Sequence, residues 1–214
     1  FKDDNLDENT RKVTRCNFAA EVAQDIENNA SSLVELWLAS DGYANKLKQA
    51  GSTGSEFATE HDAVNRLSDA LFYLDSSTKD AKLATPLGLF DNECGSQACP
   101  QAVESVYSRH SFNNILNNLL GFEKLLTGES GIGFTDYLID VGDDNTATDM
   151  SADVSKAIDT VNSIATSLVQ ALVEDEAQVS QAHEDIKDIT DKLKSGFINS
   201  LALELPATSA GDND

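Results

Sequence analysis

The densest group of polar side chains runs Tyr107-Ser108-Arg109-His110-Ser111-Phe112-Asn113-Asn114-Ile115-Leu116-Asn117-Asn118, where a helix is predicted to begin. A helix start leaves backbone N–H groups free and carries the positive end of the macrodipole, which favours an anion. Arg109 strengthens that reading. It is one of four arginines in the chain, and a guanidinium grips a carboxylate or phosphate through two parallel hydrogen bonds. Asn114 and Asn118 share a helical face one turn apart, with Asn117 beside them. The candidate ligand-binding set is therefore Ser108, Arg109, Ser111, Asn114 and Asn118. The same residues also suit a purely structural role, a capped helix whose amides satisfy buried backbone groups, and spacing alone leaves both readings open.

Catalytic groupings are hard to find elsewhere, and no catalytic set is nominated. A serine hydrolase needs nucleophile, base and orienting group to converge; Ser108 and Ser111 flank His110, but neighbours on a helix point in different directions, and no Gly-x-Ser-x-Gly elbow occurs. His61 sits beside Glu60 and Asp62, and His183 beside Glu184 on a charged face. Neither has a second His four residues away, and no His-Glu-x-x-His signature is present, so both read as surface histidines. Gly128-x-x-Gly131-x-Gly133 lacks the order and preceding strand of a dinucleotide loop and reads as a hinge between helices. Asp143, Asp144, Asn145 and Asp149 are rich in oxygen but miss the spacing of a calcium loop.

Of the three cysteines, Cys94 and Cys99 lie five residues apart with Gly95 and Ser96 between them. A small loop brings such a pair within disulfide range, which implies an oxidising compartment. Zinc is the rival, but no second Cys or His pair stands at suitable spacing. Cys16 falls on an apolar helical stripe and is expected to be a buried thiol or the partner of a cysteine elsewhere.

The elements that must position these residues are helical throughout. After a polar, fraying opening over Phe1–Asn9, apolar residues at Val13, Cys16, Ile26, Leu33, Leu36 and Trp37 predict a helix from about Thr10 to Ala39. Asp41-Gly42 ends it, and Gly51, Ser52, Gly54 and Ser55 mark a loop. A second helix is predicted from Thr59, as N-cap, to Leu83, closed by Thr85-Pro86. An irregular stretch follows over Leu87–Pro100. Ser111 is read as the N-cap of a third helix through Leu126, and Phe134–Val141 as a short fourth. Two strong helices finish the chain, about Ser151–Glu174 and Asp175–Leu203. No β-alternation persists, so the expectation is an all-α antiparallel helical bundle forming one domain over 1–214, with irregular segments near 41–58, 85–110 and 127–150.

Composition narrows the function. Against 37 Asp and Glu stand 15 Lys and Arg, a net charge of −22. Such a surface repels phosphate backbones, and no basic face offsets it, so nucleic acid is not an expected partner. No apolar run reaches the ~20 residues of a membrane span. The chain opens on Phe1 without a signal-peptide pattern, as expected of a mature or truncated product.

The order of landmarks resembles the imelysin family, also described as insulin-cleaving membrane proteases and iron-regulated protein A relatives. The resemblance begins with an Arg15-containing helix ending at Trp37 before Gly42-Tyr43. It continues through Leu71-Phe72-Tyr73-Leu74 with Lys79 and Lys82-Leu83, then Pro86-Leu87-Gly88. Glu104-Ser105-Val106-Tyr107-Ser108-Arg109-His110-Ser111 is close to the family's Glu-Ser-x-(Tyr/Phe)-Ser-x-x-Ser. Asn114 and Asn117 or Asn118 before Leu119-Leu120-Gly121 match its next element, and Gly211-Asp212-Asn213-Asp214 its acidic end. The similarity covers most of the chain, and Glu104 to Gly121 is its most specific block.

The resemblance implies an all-α fold of two bundle-like halves in bacterial periplasmic or outer-membrane-associated proteins often regulated by iron. The family's Gly-x-His-x-x-Glu motif belongs to the N-terminal half and is absent here, so the chain looks like the C-terminal half. A site between the halves would take one wall from Ser108, Arg109, Ser111 and Asn114. Three functions follow as expectations: ligand binding linked to iron uptake or iron regulation, a metallopeptidase whose His and Glu lie in the other half, or a structural interaction module. The implied partners are the N-terminal half of the same protein or another chain, together with a small ligand or metal. Iron or another divalent cation is the implied cofactor, with no ligands nominated for it.

Overall fold

The computed structural model describes residues 6–207 and 209; part of the predicted frayed opening and the Gly211-Asp212-Asn213-Asp214 landmark lie outside them. Among the described residues all regular elements are helical, and a bridge between Asn92 and Gly95 stands isolated. The all-α expectation is met. The chain divides into two compact units, residues 1–64 and 65–214.

The first unit is built on α1 (Glu8–Leu38), α2 (Tyr43–Lys48) and the start of α3 (Glu60–Ser68). Asp7 caps α1 by accepting the Thr10 N–H at 3.1 Å. Trp37, Tyr43 and Phe57 bring their rings together in series, the first pair tilted and the second edge-on, with centroids 5.6 and 6.1 Å apart. Thr59 caps α3, as predicted, and Asp62 makes the cap reciprocal: the hydroxyl accepts the Asp62 N–H at 3.0 Å, and the carboxylate accepts the Thr59 N–H at 2.9 Å. Cys16 departs from its expectation of a buried thiol. No residue of α1 is buried and Cys16 is exposed, because the spacing that marks an apolar face does not say what covers it.

In the second unit α3 runs through a 3₁₀ turn (Asp69–Phe72) into a π-helical segment, Leu74–Ala84, then Thr85–Leu87. The remaining helices are α4 (Ser111–Thr127), α5 (Phe134–Asp140), α6 (Asp144–Ser163), α7 (Leu168–Glu174) and α8 (Glu176–Lys192). A second π-helical segment, Leu193–Phe197, and the turn Ile198–Ser200 extend α8. The first π segment, α4, α6 and α8 form a ring in chain order, each packed on the next and α8 closing on the π segment. Their buried stripes explain this. Phe112, Ile115, Leu119, Phe122 and Leu126 on α4, and Ala147, Met150, Val154, Ala157 and Val161 on α6, alternate steps of three and four, the period of a bundle seam.

Three features differ from the sequence reading: Tyr43–Lys48 is helical within the segment near 41–58 expected to be irregular, and two boundaries move. The helix predicted as Ser151–Glu174 is two helices, broken at Ile164, whose extended backbone (ψ 106°) ends α6, and restarted by Ser167, which accepts the Gln170 N–H. Meanwhile α6 starts earlier, because Asp143 accepts the Thr146 N–H at 3.1 Å and also the Ser200 hydroxyl. Helix capping thus absorbs part of the oxygen-rich cluster. The Cys94–Cys99 disulfide is present, with Cα atoms 5.7 Å apart. Its loop is pinned to the end of the π segment: the Cys99 N–H donates to the Pro86 carbonyl at 2.8 Å and the Asn92 amide to the Thr85 carbonyl at 2.8 Å. Gly88 allows this approach, with φ +80° and a Cβ position that would lie 2.5 Å from the Gln97 backbone.

Candidate functional site

The five residues singled out in the sequence divide between two faces of α4. Ser111, Asn114 and Asn118, at steps of three and four, face the chain before the helix and the π segment. The Ser111 hydroxyl accepts the Ser105 N–H at 3.3 Å, and the Asn114 amide donates to the Ser105 hydroxyl at 3.3 Å. The Asn118 amide donates to Thr78 Oγ1 at 2.8 Å. These three side chains fasten α4 to its surroundings. Ser111 is the first helical residue, not the N-cap; His110 holds the cap position without a side-chain bond.

Arg109 belongs to the other face, while Ser108 is exposed. The Arg109 N–H donates to the Ser105 carbonyl at 2.8 Å, closing a turn that places Arg109 at φ +58°. Non-glycine residues rarely adopt that left-handed region, at a cost of about 1 kcal/mol or more. Arg109 lines a groove of 290 Å³ between the start of α4 and the α6–α7 junction. Asn113 and Leu116, four and seven residues on from Arg109, line the same groove, and Asn162, Ile164 and Thr166 face them. The break between α6 and α7 that the sequence reading missed is thus what builds the opposite wall. Among the described residues the Arg109 side chain makes no ion pair or hydrogen bond.

Behind α4 lies a buried ionic cluster. Lys79 is 2% exposed and Asp75 0% exposed. Lys79 Nζ stands 2.7 Å from Asp80 Oδ1 and 3.5 Å from Asp75 Oδ1, and Lys194 Nζ 3.0 Å from Asp75 Oδ2. The cluster joins the two π segments, since Asp75 lies on the first and Lys194 on the second. Neither Asp75 oxygen makes a well-aligned hydrogen bond, so Coulomb attraction holds it. Nearby, Lys82 Nζ is 3.4 Å from Glu104 Oε2 and lies over the Tyr73 ring. His183 corrects the reading of a surface histidine: it is 6% exposed, because residues 182, 183, 185 and 186 of α8 all turn inward. Burial holds its pKa below the ordinary range; Glu184 opposes that shift, and Lys79 and Lys187 reinforce it. His61 is exposed, as expected.

A usable signal for the cluster existed in the sequence. Leu74, Thr78 and Lys82 recur every four residues, as do Asp75, Lys79 and Leu83, and all six are buried. An α-helix of 3.6 residues per turn would rotate such a set off its face by ~40° per step. The wider π turn, closed by i→i+5 bonds, brings residues four and five apart onto one face, and π turns concentrate at functional positions. Among the described residues no three His, Cys, Asp or Glu side chains gather as a metal-holding group.

The model of the family described as Imelysin, peptidase M75, matches residues 1–195. The chain belongs to the Imelysin family. A crystal structure of an iron-regulated protein A precursor from Parabacteroides distasonis shares this imelysin fold, with a TM-score of 0.57 at 20% identity over 78% of the present chain. The match covers 50% of that protein, so this imelysin chain spans half the length of its structural neighbour. No curated protein matches the chain.

Proposed function

We propose that this chain is the C-terminal-half module of an imelysin-type cell-envelope protein that binds a ligand in connection with iron uptake or iron regulation, without turning it over. One observation carries the reading: among the described residues Arg109 has no ion-pair partner, and it lines a groove in a chain where acidic residues outnumber basic ones by more than two to one. A guanidinium without a carboxylate partner in such surroundings suits an anion. The iron link draws on the family and on the iron-regulated neighbour. Iron or another divalent metal would enter as cargo or effector, and the residues of this half nominate no ligand set for it.

The partner in this reading is the N-terminal half of the same protein or another chain. Support comes from α1, where Val22, Ile26, Leu33 and Leu36 form an exposed apolar face. An exported location, periplasmic or at the outer membrane, agrees with the disulfide. No helix among the described residues is long and apolar enough to cross a membrane.

The test is to incubate the complete protein with an unstructured peptide and follow the products by mass spectrometry, with and without a chelator. The proposal expects intact peptide in both. Cleavage that the chelator abolishes would establish the alternative, a metallopeptidase completed by the Gly-x-His-x-x-Glu motif of the other half.

A further inference from the structure

We infer that the Arg109 groove takes a small hydroxy monocarboxylate, an acid with one negative charge and a neutral hydroxyl beside it. This rests on the ligand-binding reading above and deepens it to a chemical class. Charge sets the first requirement. Arg109 is exposed and is the only charged residue among the ten that line the groove, and the chain around it carries −22. One guanidinium balances one carboxylate, which its planar fork grips through two hydrogen bonds. A phosphate dianion or a dicarboxylate would bring a second charge into a repelling field.

The rest of the lining sets the second requirement. Its exposed polar side chains are Asn113, Asn162 and Thr166, two amides and a hydroxyl, all neutral. Among the described residues none of these three side chains has a hydrogen-bond partner. The apolar members Phe112, Val161 and Ile164 are buried and give a ligand little to touch. Such a groove favours a ligand that carries hydrogen-bonding groups of its own beside its charge. A hydroxyl serves, since it donates to an amide oxygen and accepts from an amide N–H. An ammonium does not: the guanidinium repels it, and no carboxylate lines the groove to receive it. That separates hydroxy acids from amino acids of the same frame. The volume of 290 Å³, that of about ten waters in the liquid, admits an acid of up to about ten non-hydrogen atoms.

The experiment titrates the complete chain, by calorimetry and NMR, with sodium lactate, sodium propionate, alanine and inorganic phosphate at one pH and ionic strength. The first three share a three-carbon frame and carry hydroxyl, hydrogen or ammonium beside the carboxylate. Saturable lactate binding is expected, about fivefold tighter than propionate and tighter still than alanine. Arg109→Gln should weaken lactate about tenfold by loss of the charge-assisted bonds. Asn162→Asp should weaken it as well, by placing a like charge in the groove. Asn113→Ala with Thr166→Ala should shrink the advantage of lactate over propionate. The substituted side chains are exposed, and circular dichroism checks that the variants keep the fold. Equal, Arg109-dependent binding of lactate and propionate overturns the hydroxy acid while leaving an anion site in the groove. Phosphate or alanine binding tighter than lactate, with the same dependence, does the same. Absence of Arg109-dependent binding for all four probes overturns the inference and the ligand-binding reading together.

Discussion

Lys79 is an ammonium group enclosed by protein, balanced by Asp75 and Asp80, with Lys194 completing the pattern from the other π segment. Removing one member of such a set strands the others in a medium that solvates them poorly. Lys79→Ala is therefore expected to lower unfolding free energy by about 3–5 kcal/mol, read from urea denaturation. Lys124→Ala, which breaks an equally short but exposed pair with Glu129, should change little. His183 gives a second expectation. Its folded pKa lies below the unfolded value of about 6.5, so the unfolded state binds the proton more readily. Stability should be intact above that pH and fall as pH drops below it, and His183→Gln should remove this part of the dependence. Asp185 acts in a different window. Hydrogen bonds from Thr160, Lys156 and Gln181 outweigh the burial that would raise the Asp185 pKa and hold it below the ordinary carboxylate range, so its contribution is lost only below about pH 4. A His183→Gln protein that keeps the full loss between pH 6.5 and 5 would show that another group titrates there.

Among the elements, the regular seams were legible in the sequence and the irregular junctions were not. Ile115, Leu119, Phe122 and Leu126 predict the buried face of α4 because steps of three and four have one helical meaning. Leu168 and Leu172 continue the α6 stripe so well that they conceal the break at Ile164, although Ser167 before Leu168 is a cap signal. The period of four along Leu74–Ala84 likewise reads as ordinary α-helix in the sequence, because an isolated four-residue step is common to both geometries. Candidate-site legibility follows the same division. The pattern found Arg109 and the polar run around it; only the fold shows that Ser111, Asn114 and Asn118 face away from it and that Asn162 faces it across the groove. The disulfide loop carries the prediction at this scale. A bridge closing so short a loop contributes about 2 kcal/mol, and this one holds the exit of the π segment through Pro86 and Thr85. Reduction, or Cys94→Ser with Cys99→Ser, should lower Tm by several degrees and loosen amide protection first in Lys82–Leu87, read by hydrogen exchange. Equal protection before and after reduction would separate the loop from the π segment.

At the scale of the whole molecule, a helical unit braced by buried charge presents a groove with one unpaired cation, while α1 presents an apolar face. The chain belongs to the Imelysin family and spans half the length of its structural neighbour. The net charge of −22 tunes what approaches the groove, favouring small monoanions over polyanions and disfavouring nucleic acid. The most direct measurement is a two-dimensional NMR titration of the isotope-labelled chain with sodium acetate, a monocarboxylate small enough for the groove, following the backbone and side-chain amides. Saturable shifts confined to Arg109, Asn113, Leu116, Asn162 and Thr166, and absent in Arg109→Gln, are the predicted result. Shifts centred on α1 or the π segments, or none at all, would contradict the groove as the ligand site.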